Sequence, residues 1–164
     1  MKFRLADIVE DSIVDGPGVR IAVFVQGCPH HCPGCHNPAT HDPAGGRDAD
    51  TDEVFARIDE NPLLSGVTLT GGEPFEQCGA MADIAQRAKA RGLNVMAYSG
   101  YRFEQLLEKP QAMQVLAYCD TLVDGPFVKD QRSLDLLFRG SKNQRIIDVQ
   151  ASLRQGCVVK QNWA

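Results

Sequence analysis

Short apolar runs bounded by glycine, proline or polar residues recur along this 164-residue chain, and segments with helical spacing separate several of them. Each apolar run predicts a strand, and alternation of strands with helices is typical of an α/β fold with a mostly parallel sheet. A complete eightfold β/α barrel needs about 250 residues, so we expect a partial, TIM-like barrel in a single domain over residues 1–164. The predicted strands are Arg4–Val9, Val19–Gln26, Gly66–Thr70, Asn94–Tyr98, Thr121–Asp124, Arg145–Asp148 and Val158–Lys160.

Three helices are predicted between these strands. A capping-box pattern at Asp50-Thr-Asp-Glu53 predicts a helix that runs to Glu60. Apolar residues at helical spacing predict a second helix over Gly79–Arg91, and a third is expected over Pro110–Cys119. The polar, glycine-rich segment Asp42–Ala49 is predicted to be a loop.

Each unusual motif in the chain lies directly after a predicted strand. The carboxyl ends of parallel strands form the ligand-binding edge of such a sheet, so we expect the motifs to form one site. They are the cysteine loop Cys28-Pro-His-His-Cys32-Pro-Gly-Cys35, Thr70-Gly-Gly-Glu-Pro74, Ser99-Gly-Tyr101 and Asp124-Gly-Pro-Phe127.

The cysteine loop has the spacing C-x3-C-x2-C, which brings three thiols to one short segment. Thiolates select zinc, copper(I) or iron–sulfur clusters. A closed zinc site needs four protein ligands, whereas three cysteines on a four-iron cubane leave one iron free to bind a substrate. The loop alone leaves open a zinc site with His30, His31 or His36 as the fourth ligand.

Composition narrows the class of protein. The formal charge of -4 gives no electrostatic footprint for nucleic acid or an anionic membrane, and no apolar stretch reaches the ~20 residues of a membrane span. The N-terminus lacks the pattern of a signal peptide, so we expect a cytoplasmic protein whose six cysteines are reduced or bind metal. Cys78, Cys119 and Cys157 are expected to be ordinary thiols, and Trp163 a packed or frayed tail.

Taken together, the motifs carry a family resemblance. The cysteine spacing with Gly71-Gly-Glu-Pro74 resembles the radical S-adenosylmethionine (SAM) superfamily, and Asp15-Gly-Pro-Gly-Val-Arg20 is similar to the signature of glycyl-radical-enzyme activating proteins. Asp124–Val128 and Phe138–Arg145 are most similar to the members that activate anaerobic ribonucleoside-triphosphate reductase. The resemblance implies an oxidoreductase with a radical SAM core.

The resemblance also implies a mechanism. Cys28, Cys32 and Cys35 would hold a [4Fe-4S] cluster whose open iron binds the amino and carboxylate groups of SAM. One electron, from a flavodoxin or ferredoxin, would cleave the sulfonium to methionine and a 5'-deoxyadenosyl radical. That radical would take a hydrogen atom from a backbone glycine of the partner enzyme.

Further contacts are implied position by position. Gly72 and Glu73 would meet the amino-acid end of SAM, where Glu73 offers a carboxylate to the ammonium group, and Ser99 would line the middle of the site. Many members carry an aromatic residue before the third cysteine, where this chain has glycine. The implied adenine contacts are Gly34, Cys35 and His36, the implied partner contacts are Asp15, Gly16 and Gly18, and further candidate polar contacts are Asp124, Lys129 and Arg139.

Two alternatives stay open on the sequence. Within the same class, the partner is pyruvate formate-lyase or another glycyl radical enzyme. In a different class, the protein is a zinc-binding interaction module without catalysis.

Overall fold

The computed structural model of the protein describes residues 1–161. Its strands form one seven-stranded sheet in the order β3-β1-β2-β4-β5-β6-β7. The expectations for Trp163, and for a domain that extends to residue 164, involve residues outside this described range and stay predictions. The strands are β1 (Lys2–Ser12), β2 (Arg20–Val25), β3 (Arg47–Asp50), β4 (Gly66–Gly71), β5 (Asn94–Tyr98), β6 (Thr121–Asp124) and β7 (Arg145–Asp148). The helices are α1 (Thr51–Glu60), α2 (Cys78–Ala90), α3 (Phe103–Glu108), α4 (Ala112–Leu116) and α5 (Val149–Gln155).

Four neighbouring strands, β2, β4, β5 and β6, run parallel to one another at the centre of the sheet. β1 and β3 on one side and β7 on the other add antiparallel edges. The sheet therefore does not close on itself, as expected for a partial barrel. The predicted α/β fold class is confirmed. Within the described residues, no helix is long and apolar enough to cross a membrane.

The two faces of the sheet are built from alternate residues of each strand. Buried side chains such as Val23, Leu69 and Val95 belong to the main hydrophobic core, which also contains the apolar faces of α1 and α2. On the opposite face, Met96 belongs to a small second cluster. Helices thus cover one face, and the other face is free to receive loops.

The loop between β1 and β2 lies on this second face. The main-chain carbonyl of Asp15 accepts a hydrogen bond of 2.7 Å from Thr68 Oγ1 in β4. A Cβ atom on Gly16, whose φ is +135°, would lie 2.8 Å from Met96 Sδ in β5. The loop therefore packs against the middle of the sheet and fills part of the partial barrel.

The side chain of Arg20, which is only 1% exposed, holds the loop between β1 and β2 against the sheet. Its guanidinium donates to Thr68 Oγ1 at 2.8 Å, to the carbonyls of Pro17 and Val67 at 3.0 Å, and to Asn94 Oδ1 at 2.8 Å. Burial lowers the pKa of Arg20 to about 10, so the group still carries its charge near neutral pH.

Replacing Arg20 with methionine should lower the free energy of unfolding by about 2 kcal/mol or more, because buried acceptors would lose their donor. Arg57→Met is the matched control, since Arg57 is half-exposed and its ion pair with Glu10 is 3.6 Å long. That variant should stay within about 0.5 kcal/mol of the wild type. Denaturant unfolding measures both. Equal losses would contradict the role assigned to Arg20.

The predicted helix after Asp50 and the helix over Gly79–Arg91 are present as α1 and α2. Asp50 caps α1 as predicted, because its side chain accepts from the main-chain NH of Asp52 at 2.9 Å. The strands β5, β6 and β7 have the predicted limits. These elements combine strong apolar patterning with clear start or stop signals.

Other expectations were wrong. The segment Asp42–Ala49 was expected to be a loop, but Arg47–Asp50 forms edge strand β3, whose polar residues pair with β1 and carry no alternating apolar signal. Val158–Lys160 is not a strand; only a single bridge joins Lys160 to Ile147. The helix expected over Pro110–Cys119 is reduced to α4, which begins after Gln111 at φ +72°. Two short helices, α3 and α5, were not predicted.

Candidate active site

The loops after β2, β4, β5 and β6 converge at the carboxyl edge of the parallel strands, as the sequence predicts. A cavity of about 130 Å³ lies where they meet. Cys28, Cys32 and Cys35 line this cavity, together with Gly72 and Ser99. Four motifs that are far apart in the sequence therefore share one site.

A second, larger cavity of about 670 Å³ adjoins the first one. The two share Cys35, Tyr98 and Phe127 in their walls. The larger cavity extends along the open face of the sheet to Asp15. It is open to solvent and provides a route from the surface to the cysteine loop.

The cysteine loop is held at its base by main-chain hydrogen bonds. The NH of Gly27 donates to the carbonyl of Thr40 at 2.7 Å, and the NH of Cys28 donates to the carbonyl of His41 at 3.1 Å. Gly27 has a φ of +103°, which turns the chain out of β2 and into the loop. The loop thus leaves the sheet in a fixed direction.

All three thiols of the loop are free and partly buried. Burial raises the pKa of the Cys28 thiol, and the negative charge of Glu73 raises it further. A bound metal reverses this preference because a coordinating thiol is deprotonated outright. We therefore expect cluster assembly to release protons and to weaken as pH falls.

Within the described range of residues, no group of three or more cysteine, histidine or acidic side chains is arranged to hold a single metal ion. A [4Fe-4S] cluster distributes its cysteine ligands over separate irons. Two of the histidines considered as zinc ligands have other contacts. His30 Nε2 lies 2.7 Å from Glu73 Oε1, and the ring of His31 packs edge-on against His41.

Gly71 and Gly72 bring the end of β4 into contact with the end of β2. A Cβ atom on Gly71, at φ +102°, would lie 2.5 Å from the main-chain nitrogen of Val25. A Cβ atom on Gly72 would collide with the carbonyl of Gly27 and lie 3.0 Å from the carbonyl oxygen of Thr40. Both positions therefore require glycine for close packing of backbone on backbone.

Glu73 is fully buried at the centre of the converging loops. Its Oε1 accepts from Ser99 Oγ at 2.9 Å, from the NH of Gly100 at 2.8 Å and from His30 Nε2 at 2.7 Å. Its Oε2 accepts from the NH of Phe75 at 3.0 Å. The carboxylate expected to meet a ligand ammonium is thus occupied by protein donors, and Ser99 is one of them.

The residues expected on the adenine side lie beside an aromatic ring from another loop. A Cβ atom on Gly34 would lie 3.4 Å from the ring of Phe127 and 3.3 Å from Lys129. The rings of Phe127 and His36 are 5.0 Å apart. Phe127 therefore lies next to the position at which many superfamily members carry an aromatic residue before the third cysteine.

The three residues expected to bind the partner separate in the structure. Asp15 lines the larger cavity. Gly16 packs against the sheet, and Gly18 lies at the opposite ends of the strands, where a Cβ atom would be 2.7 Å from Ser65 Oγ. The structure thus brings only Asp15 of these three to the cavity that contains Cys35.

Asp124 is buried and lines neither of the two cavities. It is 1% exposed, accepts from the NH of Phe103 at 2.7 Å and forms an ion pair with Arg145 at 2.5 Å. Arg145 also pairs with Glu104 at 2.8 Å. By contrast, Arg139 lines the larger cavity, and its buried Nε has no hydrogen-bond partner among residues 1–161.

The ion pair between Arg145 and Glu104 should make the free energy of unfolding depend on pH. The hydrogen bond from Arg145 lowers the pKa of Glu104 from 4.5 to about 2. Because the folded-state pKa is depressed, the stabilisation is present above pH 4.5 and is lost as pH falls towards 2. Glu104→Gln should therefore show a flatter decline in unfolding free energy over this range. Parallel curves for the two proteins would contradict the pairing.

Comparisons with known proteins identify the family of the chain. The family described as "4Fe-4S single cluster domain" matches residues 14–147. The anaerobic ribonucleoside-triphosphate reductase-activating protein of Escherichia coli K12 is 34% identical over 140 residues, which cover 80% of this chain and 90% of that protein. The chain belongs to this family of activating proteins.

Other relatives agree with this assignment. The activating protein of the same name from Enterobacteria phage T4 is 32% identical over 139 residues, covering 81% of this chain and 86% of that protein. QueE from Escherichia coli, a crystal structure with a TM-score of 0.50 and 17% identity, covers 61% of this chain and 53% of its own and supports the fold alone. An iron–sulfur cofactor is therefore confirmed for this activating-protein family member, and the zinc-module alternative was wrong.

Sequence reasoning missed several residues of the site in this activating-protein family member. His30 was considered only as a zinc ligand, although its position between two cysteines places it in the site. Phe127 was read only as part of a strand-end motif. Tyr98 and Gln144 line both cavities; Tyr98 was predicted only as the end of a strand, and Gln144 was included only in the segment Phe138–Arg145 that carries the family resemblance.

Proposed function

We propose that this protein is a radical SAM activase. It reductively cleaves SAM at a [4Fe-4S] cluster held by Cys28, Cys32 and Cys35, and it generates a glycyl radical on an anaerobic ribonucleoside-triphosphate reductase. The observation that carries the proposal is that the three-cysteine loop and Gly71-Gly72 line one cavity in a chain of this family.

The donor set fits a cluster with one iron that has no cysteine ligand. Three thiols line the cavity. The other cysteines lie elsewhere: Cys78 donates its thiol to the carbonyl of Phe75, Cys119 is buried in the main core, and Cys157 is exposed. When bound, such a cluster supplies the electron that cleaves the sulfonium of SAM; the electron itself comes from a flavodoxin or ferredoxin.

The chain's own residues would bind and orient SAM. The close backbone approach at Gly72 suits the amino-acid end, and Glu73 stabilises that loop from beneath. Gly34, Cys35 and His36 would lie against the adenine, with the ring of Phe127 as an apolar wall. Cys35, His36 and Phe127 line the larger cavity together, which supports this arrangement.

The hydrogen donor would enter through the larger cavity. The 5'-deoxyadenosyl radical, left when methionine departs from SAM, would take one hydrogen atom from the Cα of a backbone glycine of the reductase. The Cα–H bond breaks, and 5'-deoxyadenosine and a glycyl radical result. The cavity of about 670 Å³ accommodates a peptide loop rather than a folded domain. Asp15 lies in its wall and is a candidate contact for that loop. Gly16 would act by letting the chain beside Asp15 pack against the sheet, whereas Gly18 lies away from this cavity.

A partner-swap assay tests the proposed function. The anaerobically reconstituted protein is mixed with SAM, a reductant and either anaerobic ribonucleoside-triphosphate reductase or pyruvate formate-lyase. Electron paramagnetic resonance should show a glycyl radical only with the reductase. A radical signal only with pyruvate formate-lyase would contradict the proposed partner but would agree with the proposed reaction. A cytoplasmic location stays a prediction.

A further inference from the structure

His30 lies in the cysteine loop, two residues from Cys28 and two from Cys32, yet its side chain turns towards another loop. Its Nε2 atom lies 2.7 Å from Glu73 Oε1, and its side chain is 17% exposed. Because Glu73 is fully buried, this hydrogen bond is largely shielded from water.

The bond joins the cysteine loop to a carboxylate that already fixes two other loops. Glu73 accepts from the NH of Phe75 in its own loop after β4. It also accepts from Ser99 Oγ and from the NH of Gly100 in the loop after β5. The base of the loop after β2 already contacts Glu73, whose main-chain NH donates to the carbonyl of Gly27 at 2.8 Å. His30 adds the cysteine-bearing part of that loop to the hydrogen-bond network of the carboxylate.

The imidazole is held in this orientation from two further directions. Its ring packs edge-on against Tyr101, with centroids 4.5 Å apart. On another side it fills the space at Gly100, where a Cβ atom would lie 2.7 Å from His30 Nε2. The ring has little freedom to turn away from Glu73.

We propose that His30 is a positioning residue, which fixes the cysteine loop relative to Gly71-Gly72 through its hydrogen bond to Glu73. The inference rests on the proposed function, because the cysteine loop would hold the cluster and the glycines would receive the amino-acid end of SAM. Misplacement of reacting groups by about 1 Å costs on the order of 100-fold in rate. His30 would prevent such a displacement by holding the cysteine loop through its hydrogen bond to Glu73.

Two substitutions separate the hydrogen bond from the bulk of the ring. His30→Gln can place an amide nitrogen near the position of Nε2, whereas His30→Leu removes the donor. With clusters reconstituted anaerobically, we expect iron content close to wild type in both. His30→Leu should raise the KM for SAM at least tenfold and reduce the SAM-induced change in the spectrum of the reduced cluster. His30→Gln should recover most of both properties.

His31→Asn is the matched control, because His31 lies in the same loop and contacts His41 rather than Glu73. It should keep the wild-type KM and spectral change. The inference is overturned if His30→Leu behaves like wild type. It is also overturned if that variant only loses iron while its remaining clusters respond normally to SAM, since His30 would then serve cluster retention.

Gly100→Ala is an independent test in which His30 itself is not replaced. The new methyl group should displace the imidazole and raise the KM for SAM as His30→Leu does. In a His30→Ala variant the same methyl group should raise the KM for SAM little further, because the imidazole that it would displace is absent. Additive effects would overturn the inference. A wild-type protein whose loaded cluster does not respond to SAM would instead refute the proposed function.

Discussion

Replacing any one of Cys28, Cys32 and Cys35 with alanine should abolish SAM cleavage. Two thiolates cannot hold a cubane that depends on three, because no further cysteine among residues 1–161 lines the cavity. The prediction is a fall in bound iron and in 5'-deoxyadenosine formation to background in each variant, measured after anaerobic reconstitution. This is the largest effect that we expect from any single substitution.

Cys157→Ala is the control, since Cys157 is exposed and lies outside the cavity. It should retain the iron content and activity of the wild type. Equal losses in this variant, or cleavage that survives in Cys32→Ala, would refute the assignment of the ligands. Cys78 and Cys119 are less suitable controls because both are buried in the core, where the loss of a side chain affects stability.

Gly72→Ala should lower kcat/KM for SAM by about 100-fold or more. The added Cβ atom would lie 2.9 Å from the carbonyl carbon of Gly27 and 3.0 Å from the carbonyl oxygen of Thr40. Both neighbours are main-chain atoms at the base of the cysteine loop, so the loop or the end of β4 must move. The measurement is steady-state cleavage, normalised to iron content.

Gly79→Ala is the matched control for this substitution. In that helical position the nearest atom to a new Cβ is Met1 Sδ at 3.6 Å, which is an ordinary contact. Alanine also favours a helix over glycine by up to about 1 kcal/mol. Activity should therefore be unchanged. Wild-type activity in Gly72→Ala would show that the backbone contact between the two loops is not needed.

The arrangement of the strands was readable from the sequence because the central strands are buried on both sides. Their mainly apolar runs and bounding turns identify β4, β5 and β6 almost to the residue. Edge strand β3 could not be recognised in this way, since three of its four residues are polar and only Ala49 is buried. The length of helix α4 was overestimated because apolar spacing does not reveal the positive φ of Gln111.

The location of the site followed from topology, whereas its internal contacts did not. Parallel neighbouring strands bring their following loops together, and this principle alone placed the cysteines beside Gly72. The partners of Glu73 depend on how three loops pack, which no local pattern encodes. Asp124 illustrates the same limit: only the structure shows that Arg145 occupies its carboxylate.

Gly34 shows how a departure from a family pattern can be compensated in space. Sequence comparison at the cysteine loop finds glycine where many superfamily members have an aromatic residue. The ring of Phe127, about ninety residues later in the chain, lies against that position. A local motif therefore understates the apolar surface that lies beside the third cysteine.

The central claim is that the three-cysteine loop holds a SAM-cleaving [4Fe-4S] cluster. The most direct measurement is the amount of 5'-deoxyadenosine formed by the anaerobically reconstituted protein with SAM, with and without a reductant. We predict about four irons per chain and product only when the reductant is present. A fully loaded cluster that forms no 5'-deoxyadenosine under reducing conditions would contradict the claim.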